Sequence, residues 1–276
     1  MINSVSSPIQ REIAQQSAIS NNITQLQTQI ATGKKLQSAS DDPVASARVA
    51  QIAMEQANNT AWGSNISTAT ALNTQASSTM QSISGLMSQA QSLIIQASNG
   101  TLSSSNQSTI AGQLNSISSQ LTNLEQTTDS TGQPLFSTGS ALQMRFSAQD
   151  VFAPVPSRAD TLMVGGTLLS TLVSNAASAV SSGNGTQIAT SLSAVQSGVT
   201  QASNALGLIG DAGSRLQNLQ NQQASQTTAI AAERSTLEDT DFTSAIASLN
   251  QQMLTLQAAQ AAFAKINATT LFNLLN

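Results

Sequence analysis

The tightest constraint on this chain lies at its two ends. Residues 9–33 carry Ile9, Ile13, Ile19, Ile23, Leu26 and Ile30, mostly three or four apart. Residues 242–275 carry Phe242, Ile246, Leu249, Met253, Leu256, Phe263, Ile266, Leu271, Phe272, Leu274 and Leu275. Such spacing lines the apolar side chains along one side of an α-helix. Each stripe is too narrow for a self-contained helix and suits a seam that a second helix must cover. Matching seams at both termini predict a chain that leaves and returns at one pole. There the ends pair with each other or with copies of themselves. That plan fits an assembly subunit and fits an enzyme poorly.

Composition narrows the class. Of 276 residues only 8% are charged and 3% aromatic, against about 25% charged in ordinary globular domains. No charge falls between Glu55 and Glu125, or between Asp160 and Asp211. The exposed surface must then be Ser, Thr, Asn and Gln. A net charge of −4 is too small for the usual disordered segment, and an uncharged polar surface permits dense lateral packing of identical subunits. The chain has no Cys, hence no disulfide framework or thiolate chemistry. It also has no His, hence no imidazole base or metal ligand. Nine scattered Lys and Arg residues make no basic patch for nucleic acid. No apolar run reaches the ~18 residues of a membrane span, which argues against membrane insertion. The N-terminus lacks the basic and apolar regions of a secretory signal peptide, so a cytosolic protein or export by another route is expected.

The first helix is expected to begin near Pro8 and stop before Gly33. Asp42-Pro43 then reads as a helix start: the carboxylate accepts from first-turn N–H groups, and Pro gives up an N–H that has no partner there. Whether that helix passes through Trp62-Gly63 stays open, since Gly63 costs ~1 kcal/mol relative to Ala. Over 64–98, Ile66, Met80, Met87 and Ile94 share one heptad position, interrupted by Asn73. Ala69, Ala76, Ile83, Ala90 and Ala97 share the other. Alternation of large residues and Ala lets helices approach closely, and one Asn in a seam fixes register. At ~1.5 Å per residue this helix is about 50 Å long, which predicts a rod. Ser103–Thr127 restarts the pattern. Between 129 and 168 it changes: Asp129-Ser130-Thr131-Gly132 is turn-forming, Gln143–Ser147 alternates with period two, and Pro134, Pro154, Pro156 and Gly165-Gly166 exclude a long helix. A small β-hairpin capping the far end of the rod is expected. Helix resumes at about 168–181, breaks at Ser182–Gly185, and runs in two stages to Leu237. Asp239 and Asp241 are expected to cap a last helix over 242–268.

Each candidate site has a plainer explanation. Gly207-Leu208-Ile209-Gly210-Asp211-Ala212-Gly213 lacks the spacing, preceding strand and following Lys of a phosphate loop, so a hinge or tight helix contact is expected. The carboxylates Asp41-Asp42 and Glu238-Asp239-Asp241 lack a His or a well-spaced third ligand, and capping accounts for them. No catalytic, metal or cofactor-binding residue emerges, and no cofactor is expected. Lys34-Lys35 complements the dipole at a helix C-terminus.

With the seams and loop in place, the residues resemble the bacterial flagellin family. The stretches that carry the likeness are Thr32-Gly33-Lys34-Lys35-Leu36 through Ser40-Asp41-Asp42-Pro43-Val44-Ala45-Ser46-Ala47, then Gly213-Ser214-Arg215-Leu216-Gln217-Asn218-Leu219, and finally Glu238-Asp239-Thr240-Asp241-Phe242 with Gln257–Ile266. The resemblance as a whole covers about residues 1–130 and 165–276. Within the family, Thr270-Leu271-Phe272-Asn273-Leu274-Leu275 and Gln133-Pro134-Leu135-Phe136-Ser137 are closer to the branch that joins hook to filament. Gly132–Phe146 also reads as the hairpin of a short filament flagellin, so that alternative stays open, as does a soluble helical-bundle adaptor from another class.

The resemblance implies a mainly α protein, an elongated coiled-coil-like rod made by the N- and C-terminal halves, with a small β-hairpin region inserted in the middle. It divides the chain into an N-terminal assembly helix (1–40), one half of the rod (41–128), the hairpin insertion (129–168), the other half (169–238) and a C-terminal assembly helix (239–276). The ends of such a protein are disordered in the free monomer and fold as paired helices on assembly. The implied partners are copies of the chain, a preceding hook-associated protein, flagellin and an export chaperone holding the C-terminal helix. The implied location is the extracellular flagellum, reached by the flagellar type III route without a cleaved signal peptide.

Overall fold

The structure, a computed structural model, describes the backbone of residues 3–100 and 102–274, and the side chains of 10–100 and 102–265. Of the seam residues expected above, Leu275 lies outside the described residues, as do the side chains of Ile9, Ile266, Leu271 and Phe272. The protein is mainly α. Seven helices occur among the described residues: α1 (Asn3–Thr32), α2 (Pro43–Ala97), α3 (Ser104–Glu125), the short α4 (Arg158–Leu162), α5 (Leu169–Ser182), α6 (Gly185–Glu238) and α7 (Phe242–Leu274). They divide into a terminal unit, made of the chain up to Gln56 and from Thr227 on, and a central unit, Ala57–Gln226.

Several boundaries follow from local chemistry. α1 ends where Gly33 turns to φ 72°, a conformation that costs glycine nothing. Ser103 caps α3, its hydroxyl accepting from Asn106 N. Gly183 closes α5 in the left-handed region at φ 67°. The start of α5 is capped from elsewhere in the chain. Glu125, buried at the end of α3, accepts from Ser170 N at 2.9 Å and Ser170 Oγ at 2.7 Å, so a carboxylate sits at the positive end of the helix.

Two expectations, on the start of α1 and the division of α6, are corrected, and the open question at Gly63 is answered. α1 is helical from Asn3, so Pro8 lies inside the helix and not at its first position. α2 runs unbroken through Gly63. α6 is a single helix, because Gly207 and Gly210 face open space while Gly213 is a close-contact glycine, where an added Cβ would lie 2.9 Å from Asn73 Oδ1.

In the central unit, Ala76, Met80, Ile83, Met87, Ala90 and Ile94 of α2 are wholly buried against Leu114 and Leu121 of α3, Leu169, Val173 and Ala176 of α5, and Val195, Ala202 and Ala205 of α6. Each large buried side chain contributes about 1.5–3 kcal/mol. Asn73, buried in the same face of α2, donates to Pro154 O at 2.8 Å and Ile209 O at 2.9 Å, tying α2 to both α6 and the connecting segment. That segment holds two small antiparallel ladders. β1 (Met144–Arg145) pairs with β2 (Val151–Phe152). β3 (Met163–Val164) pairs with β4 (Thr167–Leu168) across Gly165-Gly166, both at positive φ, as a two-residue hairpin turn requires. The β1–β2 hairpin does not cap a helix end as expected. Phe146 and Phe152 pack on Ile66 and Ala69 of α2 and on Ala212 and Leu216 of α6, because aromatic burial outweighs a position at the tip. Their rings lie 4.6 Å apart, and the Arg215 guanidinium sits 3.8 Å from the Phe152 centroid.

Helical Ser and Thr hydroxyls bond back to their own helix throughout both units. Thr24 to Ser20 O, Thr28 to Thr24 O, Thr70 to Ile66 O, Ser88 to Ser84 O and Thr200 to Gln196 O are examples, at 2.8–3.1 Å.

Candidate assembly surface

α1 and α7 pack against each other in the terminal unit. α1 ends where α7 begins, with Phe242 Cζ 3.6 Å from the position of a Cβ on Gly33, so the two helices run antiparallel. On α1, Glu12, Gln16, Ile19, Ile23, Leu26 and Ile30 are less exposed positions, with Gln29 adjoining Ile30. On α7 they are Ala245, Leu249, Gln252, Leu256, Ala259 and Phe263. Both series step by four and three, the spacing of a coiled-coil seam. Ile19 and Ala245 are buried, and the other apolar members half-buried.

The structure therefore splits the sequence-predicted seam in two. Ile19, Ile23, Leu26, Ile30, Leu249, Leu256 and Phe263 lie on the paired sides. Ile13, Ile246 and Met253 do not, and Phe242 lies against Gly33 just past the end of α1; all four keep 43–55% of their surface exposed. Leu254, not singled out from the sequence, is exposed as well. Sequence reasoning also passed over Ala245, Ala259, Gln16 and Gln252, which complete the heptads. The four-three spacing could have found them, had polar and small residues been admitted to the seam.

A clasp holds the end of α1 to the end of α6. Lys35 N donates to Glu238 O at 2.7 Å, and Thr240 N donates to Gly33 O at 2.9 Å. The Lys34 ammonium bonds the Glu238 carboxylate at 3.0 Å, and Arg234 reaches the same carboxylate at 3.3 Å. Lys34 chiefly, then Arg234, holds the Glu238 carboxyl below its ordinary range against the opposing effect of burial. Lys35 Nζ donates to Thr236 O at 2.8 Å. The two lysines thus serve the C-terminus of α6, where the sequence had assigned them to α1. Next along, Arg48 grips Glu233 through Nε at 2.6 Å and Nη2 at 3.0 Å, a two-point guanidinium–carboxylate pair. This lowers Glu233 and raises Arg48.

The four acidic and proline positions read as caps are placed as follows. Asp42 Oδ1 accepts from Val44 N and Ala45 N at 3.0 and 2.9 Å, with Pro43 as the first residue of α2. Asp241 accepts from Thr243 N, Ser244 N and Ser244 Oγ at the start of α7, and the Ser244 hydroxyl leads in holding it below the usual carboxylate range. Asp239 caps nothing. It trails α6, its carboxylate takes the Ser235 hydroxyl, and its backbone bridges Lys34. Asp41, which helix capping was also expected to explain, instead folds the 37–41 turn by accepting from Ser38 N and Gln37 N, and is lowered for that reason.

No group of three potential ligands for a metal occurs among the described residues, and no described helix is long and apolar enough to cross a membrane. The family model of the bacterial flagellin N-terminal helical region matches residues 3–141, and that of the bacterial flagellin C-terminal helical region matches 192–275. No curated protein matches the sequence significantly. Among solved structures, a Vibrio parahaemolyticus chain assigned as a flagellar hook-associated protein superposes with a TM-score of 0.66 at 16% identity, covering 72% of this chain and 99% of that one. At that identity the likeness concerns the fold.

Proposed function

The chain belongs to the bacterial flagellin family, whose members are structural and non-enzymatic parts of self-assembling flagellar structures, and on that premise we propose that it joins the hook to the filament. The observation that carries an assembly role is the exposed apolar flank of α7 formed by Phe242, Ile246 and Met253, with Ile13 of α1 and Leu254 exposed elsewhere on the pair. A stripe of that size left in water is an interaction surface. Phe242, Ile246 and Met253 flank the side of α7 that α1 covers, so a neighbouring copy adds to the pair without displacing it. The junction role rests on Leu271-Phe272 followed by Leu274-Leu275 and on Pro134-Leu135-Phe136-Ser137. Its partners are the preceding hook-associated protein on one side, flagellin on the other, and an export chaperone on the C-terminal helix before assembly. Passage is through the flagellar type III route.

A short filament flagellin is the second reading, favoured by the match of both helical-region models over 3–141 and 192–275 with only 142–191 left between them. Deleting the gene separates the two. The junction role expects bare hooks with wild-type flagellin shed into the medium. Loss of the major filament antigen with no other flagellin shed overturns it. An adaptor of another class is tested by the double substitution Ile246→Ser, Met253→Ser. Incorporation into flagella should be lost while the purified chain keeps its helical circular dichroism. Unchanged motility would remove the stripe from assembly.

A further inference from the structure

The central unit contains a cleft that the assembly reading does not use. It measures about 330 Å³, the lower end of the range for small-molecule sites. Its lining includes Trp62, the chain's single tryptophan, together with Asn59, Phe146, Asp150, Gln222 and Gln226. Two features indicate a preformed shape. Gln223 Nε2 donates to Asn59 O at 3.0 Å across the backbone of Gly63, where any Cβ would collide with the Gln223 amide. The bare backbone of Gly63 beside Trp62 thus lets the Gln223 amide lie against α2 in the wall of the cleft. The opposite wall is the tip of the β1–β2 hairpin, which is locked by its own bonds. Phe146 N donates to Asp150 O at 2.9 Å, Ser147 Oγ donates to Asp150 Oδ2 at 2.8 Å, and Arg145 Nη1 donates to Ala148 O at 3.0 Å.

The lining selects a ligand class. No Lys or Arg lines the cleft, and the Arg145 guanidinium behind the hairpin tip is engaged by Ala148 O, so an anion would meet the Asp150 carboxylate with no cation among the lining residues to offset it. A purely apolar guest would strip water from Asp150, Gln222 and Gln226 and return no hydrogen bonds. What remains is a molecule with an apolar face for the indole and a rim of hydroxyls that both donate and accept. Amides supply both kinds of partner, and the carboxylate supplies acceptors. We propose that the Trp62–Asp150–Gln226 cleft binds a neutral pyranose, its C–H face on the indole and its hydroxyls on the hairpin tip and the α6 glutamines.

The single tryptophan makes the test direct. The full-length chain is titrated with glucose, galactose, mannose and N-acetylglucosamine, and with cellobiose, lactose, mannobiose and chitobiose, while Trp62 emission is followed. A saturable shift in the millimolar range is expected for at least one sugar. Asp150→Asn and Gln226→Ala should each weaken that binding about five-fold, while Gln120→Ala, on α3, leaves it unchanged. Trp62→Phe, followed by ligand-observed NMR, should weaken it about ten-fold with the thermal midpoint preserved. A response to no sugar, or one that survives both Asp150→Asn and Gln226→Ala, overturns the proposal. So does an emission change produced only by raising the concentration of the chain itself, which would make the cleft a contact between copies.

Discussion

The terminal and central units of this protein use different physics. In the central unit, long stretches carry no charge, and Met80, Ile83, Met87, Ile94, Leu114 and Leu121 are wholly out of water. In the terminal unit, most of the α1 and α7 seam is only half-buried, and the ion pairs Lys34–Glu238, Arg234–Glu238, Arg48–Glu233 and Arg48–Glu55 gather around the helix junctions. One unit is held by apolar burial and the other by polar clamps around an incompletely covered seam. The contrast teaches why such a chain can keep a stable middle while leaving its ends ready for a neighbour: partial burial stabilises weakly, and what α1 leaves uncovered is available to another copy.

The contrast is sharpest under truncation of the central core. Met87→Ala should cost about 2–5 kcal/mol, read as a lower denaturant midpoint. A loss under about 1 kcal/mol would show that the central unit does not depend on burial. Gly198→Ala comes next. Its Cβ would lie 2.5 Å from Met87 Cε and 3.1 Å from Leu169 Cδ2, so overpacking by about 1–3 kcal/mol is expected, although Ala is ordinarily the better helix former.

The clamp of the terminal unit should be weaker and sensitive to pH and salt. Glu238→Gln is expected to cost about 1 kcal/mol, since Lys34 is itself half-exposed and screened. Because the folded Glu238 carboxyl is held below its unfolded value, its contribution is complete above about pH 4.3 and fades as pH falls through the lowered folded value. Amide exchange in residues 33–36 and 236–240 should therefore rise on acidification below pH 4.3 while α3 and α5 stay protected. Equal loss of protection in both would erase the distinction. The smallest effect is expected from Asp42→Ala, about 1 kcal/mol or less from a lost cap, seen as faster exchange at the start of α2. An unchanged α2 start would mean that water replaces the carboxylate there.

Much of this fold was legible because its helices are long and strongly periodic. The large-and-Ala alternation over 64–98 reappears as the buried face of α2, and Asn73 sits in it as a cross-link. Boundaries set by glycine conformation, at Gly33 and Gly183, were also readable. What escaped depended on neighbours far along the chain. Glu125 caps a helix 45 residues away, Gln223 packs its amide over Gly63 in mid-helix, and the hairpin docks beside α2 because Phe146 and Phe152 are buried there. In the candidate surface, the sequence located the apolar positions but not their division between a covered side and a bare one. Ile246 and Leu249 look alike in a stripe, and only the direction of α1 separates them.

The hydroxyls that bond back to their own helices change how the surface meets a neighbour. A serine that gives its proton to the carbonyl four residues earlier has used its one donor, and its oxygen presents acceptor lone pairs and no charge to a neighbour. Over the uncharged lengths of α2 and α6 the outer skin presents hydroxyl acceptors and side-chain amides among methylene and methyl groups. Bringing two such skins together displaces water without stranding ions, and added salt has little to screen. Lateral cohesion along those lengths should then persist from dilute buffer to brine, an advantage for a structure whose surroundings the cell does not control.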